Sequence, residues 1–286
     1  MPRIWSDRRW LLCLLLPWAL AGCELALPPA PYVSPHDISA SYQDPKAQEL
    51  ALAAETGDAA AVKRLMKDEG VNPDIHFSPD GMPLVAWPIY TKNPAGLKAM
   101  LENGADPNAA KAYPIGPGRT PRNDDNAMVW AAKMDDPIYL KLLLDHGGDP
   151  NTRNANRETL LFQARIWGDQ WQNVQLLVQR GADINLLTRN SPIIWNYSAL
   201  AGFSRVYWLL QHGANPKAGS LGEPVRYPVI EDIFWHPGNP RDPKWQRLCQ
   251  QWLLQRGYQR PPMPKHYREM RQNLGFPSEE NRIPLS

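Results

Sequence analysis

Three cysteines in 286 residues are too few to staple this chain. Cys13 lies inside an apolar N-terminal run and Cys23 closes that run, so Cys249 is the one thiol well inside the sequence. A lone thiol forms no internal disulfide, and the fold must be stabilised by packing. The apolar run itself, WLLCLLLPWALAG, is short for a comfortable membrane span. An excess of basic residues is missing too once residues 1–22 are set aside, which disfavours nucleic acid as a partner, because counterion release needs clustered Lys and Arg. There is no GxSxG elbow, no SxxK and no glycine-rich phosphate loop. Nor is there HxxxH, HExxH or a Cys–His cluster with metal spacing. The expectation is a chain with no catalytic residue, no metal and no cofactor.

What is present begins at the N-terminus. MPRIWSDRR carries three arginines ahead of the apolar run, and Cys23 follows at once. This is the layout of a secretory signal. LAGC, Leu20 to Cys23, resembles the bacterial lipobox, whose cysteine takes the lipid and becomes the first mature residue. The resemblance implies a signal peptide over 1–22, a lipid anchor at Cys23 and a protein that faces the periplasm. Glu24 in place of the aspartate of inner-membrane retention implies the outer membrane. Acyl chains hold firmly, since each buried CH₂ contributes about 0.8 kcal/mol. Without residues 1–22 the chain keeps 28 basic and 28 acidic residues and has no net charge. LALPPAPYVSPHDISASYQDP, up to Pro45, has no helical period and reads as part of a tether over 23–44.

From Pro45 a pattern repeats. LENGADPN (Leu101–Asn108), LLLDHGGDPN (Leu142–Asn151), LLVQRGADIN (Leu176–Asn185) and LLQHGANPK (Leu209–Lys217) share leucines, a glycine and then Asp or Asn. Aligned glycines fall at 70, 104, 147, 181, 213 and 257, three of the intervals near 33 residues and two about ten longer. Each glycine suits a left-handed helix end, and the Asp or Asn two residues on suits the following turn. Upstream of each leucine helix is one with a small-residue pair, as in ALAAETGD, MVWAAKMDD and LFQARIWGD. Thirty prolines, spread along the chain, punctuate these short helices.

These motifs resemble the ankyrin repeat over about residues 45–258: a β-turn finger, two antiparallel helices, and GADxN at the end. The resemblance implies an all-α ankyrin-repeat solenoid of five to six repeats over 45–260, with a cap and loose tail over 261–286 that include a short helix near Lys265–Leu274. The family's TPLH is degraded, with Val85, Val129, Phe162 and Asn196 in the histidine slot. Local irregularity is the expected consequence. His146 and His212 precede capping glycines, where they serve helix-end carbonyls. Cys249 sits on an apolar stripe with Trp245, Leu248, Trp252 and Leu253, which makes it a buried thiol. The acidic pairs Asp124–Asp125 and Asp135–Asp136 read as helix caps.

A binding surface is then the expected use of the fold. Placing the family's variable positions residue by residue gives Tyr90, Lys133, Met134, Ile166 and Trp167 at inner-helix ends. The fingers add Arg119, Arg122, Arg153, Asn156, Arg157 and Arg189. Tyr, Trp, Met and Arg are types that dominate interface energetics, although Ile166 and Trp167 could instead pack between inner helices. Insertions at Asn108–Asp125, Asn215–Pro228 and Phe234–Trp245 are expected as loops, which in such arrays often lie on the binding face, although the later two could equally be tolerated surface insertions. Ankyrin lipoproteins of this size resemble periplasmic immunity proteins that neutralise secreted lipase toxins of type VI secretion. That implies a protein partner, a membrane anchor, no nucleic acid, and a monomer when free. The alternative is an envelope scaffold that supports a periplasmic enzyme.

Overall fold

The computed structural model describes residues 33–113, 122–222, 225–238 and 243–283. The signal peptide, Cys23 and most of the expected tether lie outside the described residues, as do Arg119 and the side chain of Arg122. Residues 34–286 form one unit.

The chain starts with a strap. Asp37 caps the short α1 (Ile38–Ser41), accepting from the Ala40 N–H at 3.0 Å. Tyr42 then inserts into the core and keeps 1% of its surface exposed. Ser34 donates to Glu55 at 2.7 Å, and the His36 ring lies 5.7 Å from that of Trp87. Residues 34–44, expected in the tether, are therefore packed on the repeats. A buried tyrosine and a capped turn outweigh the lack of helical period in the sequence.

Helix pairs follow. The inner helices are α2 (Pro45–Thr56), α4 (Trp87–Tyr90), α6 (Ala127–Ala132), α8 (Leu160–Ile166), α10 (Ile193–Ser198) and α12 (Pro228–Trp235). Their outer partners are α3 (Ala59–Lys63), α5 (Pro94–Glu102), α7 (Ile138–Asp145), α9 (Trp171–Gln179), α11 (Phe203–Gln211) and α13 (Lys244–Gln255). Inner packs on inner and outer on outer: α2 on α4, α4 on α6 and α6 on α8, with α3 on α5, α5 on α7 and α11 on α13. The core runs between the layers as one cluster, from Leu50 and Leu65 through Leu97, Leu140, Leu177 and Leu209 to Leu253. The irregularity expected from degraded repeats falls at the front. A π-helical segment, Arg64–Asp68, continues α3, and a 3-10 turn, Leu84–Ala86, replaces the start of α4, where Pro83 and Pro88 interrupt the chain.

Antiparallel pairings close the fingers: Phe77 with Pro83, β1 (Ala112–Tyr113) with β2 (Arg122–Asn123), Arg153 with Thr159, Thr188 with Ser191, and Leu221 with Arg226. The glycine that ends each leucine helix is left-handed, as at Gly104 with φ +96°. Asp106 makes the expected turn, accepting from the Asn108 N–H at 2.8 Å. Asn108 itself reaches the next repeat. Its Nδ2 donates to the Gly147 carbonyl at 3.0 Å and its Oδ1 accepts from the Asp149 N–H at 2.8 Å. Asn151 repeats this towards Gly181 and Asp183, and Asn185 towards Gly213 and Asn215.

His146 and His212 contact the Leu142 and Trp208 carbonyls through Nδ1, at 2.8 and 2.7 Å. Cys249 is fully buried against the Phe203 carbonyl, and burial pushes its thiol well above the usual range. The insertion expected from Phe234 starts later, because α12 runs through Trp235, which is fully buried. The end of the chain is also more ordered than expected. In α14 (Lys265–Asn273), Tyr267 donates to Asp232 at 2.5 Å and Arg271 to the Trp235 carbonyl at 3.1 Å. The expected loose tail folds back, with Arg260 donating to the Ile283 carbonyl at 2.8 Å.

Candidate protein-binding face

Fingers and inner-helix ends converge on a cleft of about 580 Å³. Its position follows from the repeat. In three repeats the residues at or just past the inner-helix end are left uncovered: Tyr90 ends α4, Ile166 ends α8 with Trp167 after it, and Leu200 follows α10. The residues exposed there are large and apolar. Tyr90, Ile166, Trp167 and Leu200 are 47, 49, 57 and 68% exposed. Ile166 and Trp167 thus lie on the surface and are not packed between neighbouring helices.

The cleft is lined by Trp130, Lys133, Phe162, Ile166 and Trp167 from the inner helices and by Asp80, Asp124, Asp125, Asn156, Glu158 and Arg189 from the fingers. Lys133 lies between two indole rings, 5.8 Å from the centroid of Trp130 and 5.4 Å from that of Trp167. Its Nζ pairs with Asp125 at 2.8 Å. The other oxygen of Asp125 accepts from the Ala155 N–H at 2.9 Å and so joins adjacent fingers. Asp125 is therefore not a helix cap. Asn126 caps α6 and accepts from the Val129 N–H at 3.2 Å. Asp136 does accept from the Ile138 N–H at 2.9 Å beside α7.

Glu158 is the most buried charge of the cleft, at 3% exposure. Asn154 and Gln163 donate to its Oε2 at 3.0 and 2.7 Å, and Arg189 pairs with its Oε1 at 2.6 Å. Asn154 in turn accepts from the N–H groups of Asn156 and Glu158, which fixes the finger turn. This network makes the finger rigid while Arg189 stays largely in solvent. A second cleft of about 520 Å³ carries the face onwards past Phe162 and Arg189 to Trp195 and Leu200.

The remaining expected site residues separate into two groups. Tyr90 adjoins the cleft, in edge contact with Trp130 at 6.4 Å and beside His36 at 5.1 Å. Arg157 is exposed in its finger at φ +62°. Met134 and Arg153 also make contacts that hold the repeats together. Met134 packs partly buried against the core, and its carbonyl accepts from Asn173 at 2.7 Å. Arg153 ties two fingers together, donating to the Arg157 and Leu187 carbonyls at 2.6 and 3.1 Å. The sequence reading passed over Asp80, Trp130, Phe162 and Gln163 as site residues and took Asp124 and Asp125 for caps. Alignment of the finger positions at the repeat interval would have grouped Asp80, Asp124–Asp125 and Glu158, since the structure brings these equivalent turns side by side.

Among the described residues no group of three or more His, Cys, Asp and Glu is placed to hold a metal ion, and no helix is long and apolar enough to cross a membrane.

No protein-family model matches the chain, and it matches no curated protein. Solved structures are similar to it in backbone. The ankyrin repeat domain of Bcl-3, described as a unique member of the IkappaB protein family, aligns over 74% of this chain and 86% of its own, with 23% identity and a TM-score of 0.55. EF0377, an ankyrin repeat protein, aligns over 78% of this chain and the whole of its own, with 18% identity and a TM-score of 0.51. The chain folds as an all-α ankyrin-repeat solenoid.

Proposed function

We propose that this protein captures a protein partner on its concave face while a lipid at Cys23 holds it at the bacterial outer membrane, facing the periplasm. The observation that carries the reading is the exposed apolar row of Tyr90, Ile166, Trp167 and Leu200 beside a rigid set of fingers. Exposed aromatic side chains next to a polar rim have the make-up of an interface centre. Preformed fingers also lower the ordering cost of association.

The partner of this reading is a secreted antibacterial toxin of the phospholipase type, and the chain is its immunity protein. Capture on the concave face blocks the toxin's active site or its approach to lipid. Anchoring suits that task, because the inhibitor then waits at the surface where a phospholipase must work. No step requires catalysis, a metal or a cofactor from this chain, and the free protein is a monomer.

The test combines a cell assay with a binding assay. A strain without this gene should be killed by sister cells that deliver the toxin, and full-length protein should rescue it. Survival of the deletion strain against every sister toxin removes the immunity reading. Ile166→Ala with Trp167→Ala should weaken toxin binding by at least roughly tenfold, the scale of an interface hot spot, with unchanged thermal unfolding. Unchanged affinity removes the concave face as the binding surface.

A further inference from the structure

We infer that a cavity of about 810 Å³ in the last repeat is a second binding site, one that takes the side-chain carboxamide of an asparagine on an extended segment of a partner protein. This cavity shares no lining residue with the two concave clefts, so it stands or falls without them.

The repeats themselves show what such a group does. At three successive junctions, the asparagine four residues after a capping glycine serves the next repeat with both ends of its carboxamide. Asn185, the last of them, donates to the Gly213 carbonyl at 3.2 Å and accepts from the Asn215 N–H at 2.7 Å. At the next junction the same register pairs Lys217 with Gly257 and Gln259. A lysine side chain has no acceptor, and this one turns elsewhere. Its Nζ lies 5.4 Å from the ring centroids of both Tyr227 and Tyr258. Among the described residues nothing donates to the Gly257 carbonyl, and nothing accepts from the Gln259 N–H. One rung of the ladder is therefore unfilled. The cavity lies at that rung, with Lys217, Gly257 and Gln259 in its lining.

The unfilled pair selects its ligand. A carbonyl next to an N–H needs one donor and one acceptor, which a carboxamide supplies and an ionised carboxylate does not. The first repeat shows the difference within this chain, where Asp74 accepts from the Asp106 N–H at 2.9 Å but has no donor for the Gly104 carbonyl. The rest of the cavity is apolar and far larger than one asparagine side chain. Tyr227, Ile230, Tyr258, Pro261 and Met263 line it, and suit the residues on either side of the asparagine. Two contacts hold these walls in place. The Met263 N–H donates to Glu280 at 2.9 Å, and Arg226 grips Glu231 through two hydrogen bonds, at 2.8 and 2.5 Å. Preformed walls lower the ordering cost of a bound segment.

The experiment selects linear peptides from a random display library on the full-length protein, then measures matched peptides that differ at one residue. The selection should return a class that shares an asparagine. Changing that asparagine to aspartate or alanine should weaken binding roughly tenfold, the scale of two hydrogen bonds. In isotope-labelled protein the asparagine peptide should move the Gln259 amide proton downfield, and the alanine peptide should leave it in place. Lys217→Asn should supply the missing group from within the chain and abolish binding, with an unfolding temperature no lower than that of wild type. Absence of the asparagine class, an unmoved Gln259 resonance, or full affinity in Lys217→Asn overturns the inference. Asparagine peptides that are lost on Ile166→Ala with Trp167→Ala occupy the concave face; they overturn the second site and leave that face standing.

Discussion

Asn108, Asn151 and Asn185 each give a donor and an acceptor to the next repeat, and the first repeat departs from this. Asp74 stands in the equivalent position and accepts from the Asp106 N–H at 2.9 Å. A carboxylate has no donor for the carbonyl that the asparagines reach. Burial raises the Asp74 carboxyl above its ordinary value, and the nearby Asp106 adds to this. The sign follows: with the folded value raised, the folded chain binds more protons between the two values than the unfolded chain does. The stabilisation is full below the unfolded value and is lost as pH rises through the raised folded value. Asp74→Asn should therefore stabilise the protein at neutral pH by about 0.5–1.5 kcal/mol, the scale of one hydrogen bond. In urea unfolding, that advantage should shrink as pH is lowered through the Asp range. A variant equal to or weaker than wild type at neutral pH removes this account of the asparagine ladder.

At the scale of elements, helix contact depends on small residues. Gly96 in α5 lies so close to α2 that a Cβ would be 1.8 Å from the Ala54 carbonyl oxygen. Gly96→Ala should push the two helices apart and cost about 1–3 kcal/mol, as overpacking does. Chemical denaturation measures the loss, and a neutral result shows that the pair can slide. The repeat grammar also explains which parts of the site were legible. Exposure of Tyr90, Ile166 and Trp167 follows from their place at the end of an inner helix, which a sequence alignment to the repeat supplies. The roles of Met134 and Arg153 were not legible, because their contacts are with Asn173 and Leu187, each in the following repeat. The acidic pair Asp124–Asp125 misled for a similar reason. Next to a helix start an aspartate suggests a cap, yet Asn126 takes that place and Asp125 turns towards Lys133 and Ala155.

For the whole molecule, stability comes from a linear stack, so its ends matter more than in a globular domain. The strap of residues 34–44 covers the first repeat and buries Tyr42. A chain that starts at residue 45 should lose about 3 kcal/mol, the scale of removing one buried aromatic side chain. Equal stability of the two chains in urea would show that the strap only rests on the surface. The anchor is a separate prediction at this scale. Cys23→Ser should abolish incorporation of labelled palmitate and move the protein out of the membrane fraction. Palmitate labelling that persists in Cys23→Ser places the lipid elsewhere.

The sequence by itself determined the solenoid. Leucine spacing, capping glycines and GADxN endings act within one repeat and follow from local backbone preference and helical period. It also determined that Cys249 is buried, since it lies on an apolar helical stripe. Tertiary structure alone decided which carboxylates share the cleft, and the strap over the first repeat. Asp80, Asp124 and Glu158 are separated by one repeat or more in sequence, and only stacking places their carboxylates in one cleft. Tyr42 is likewise buried by residues that the chain reaches later, so no local pattern marks it.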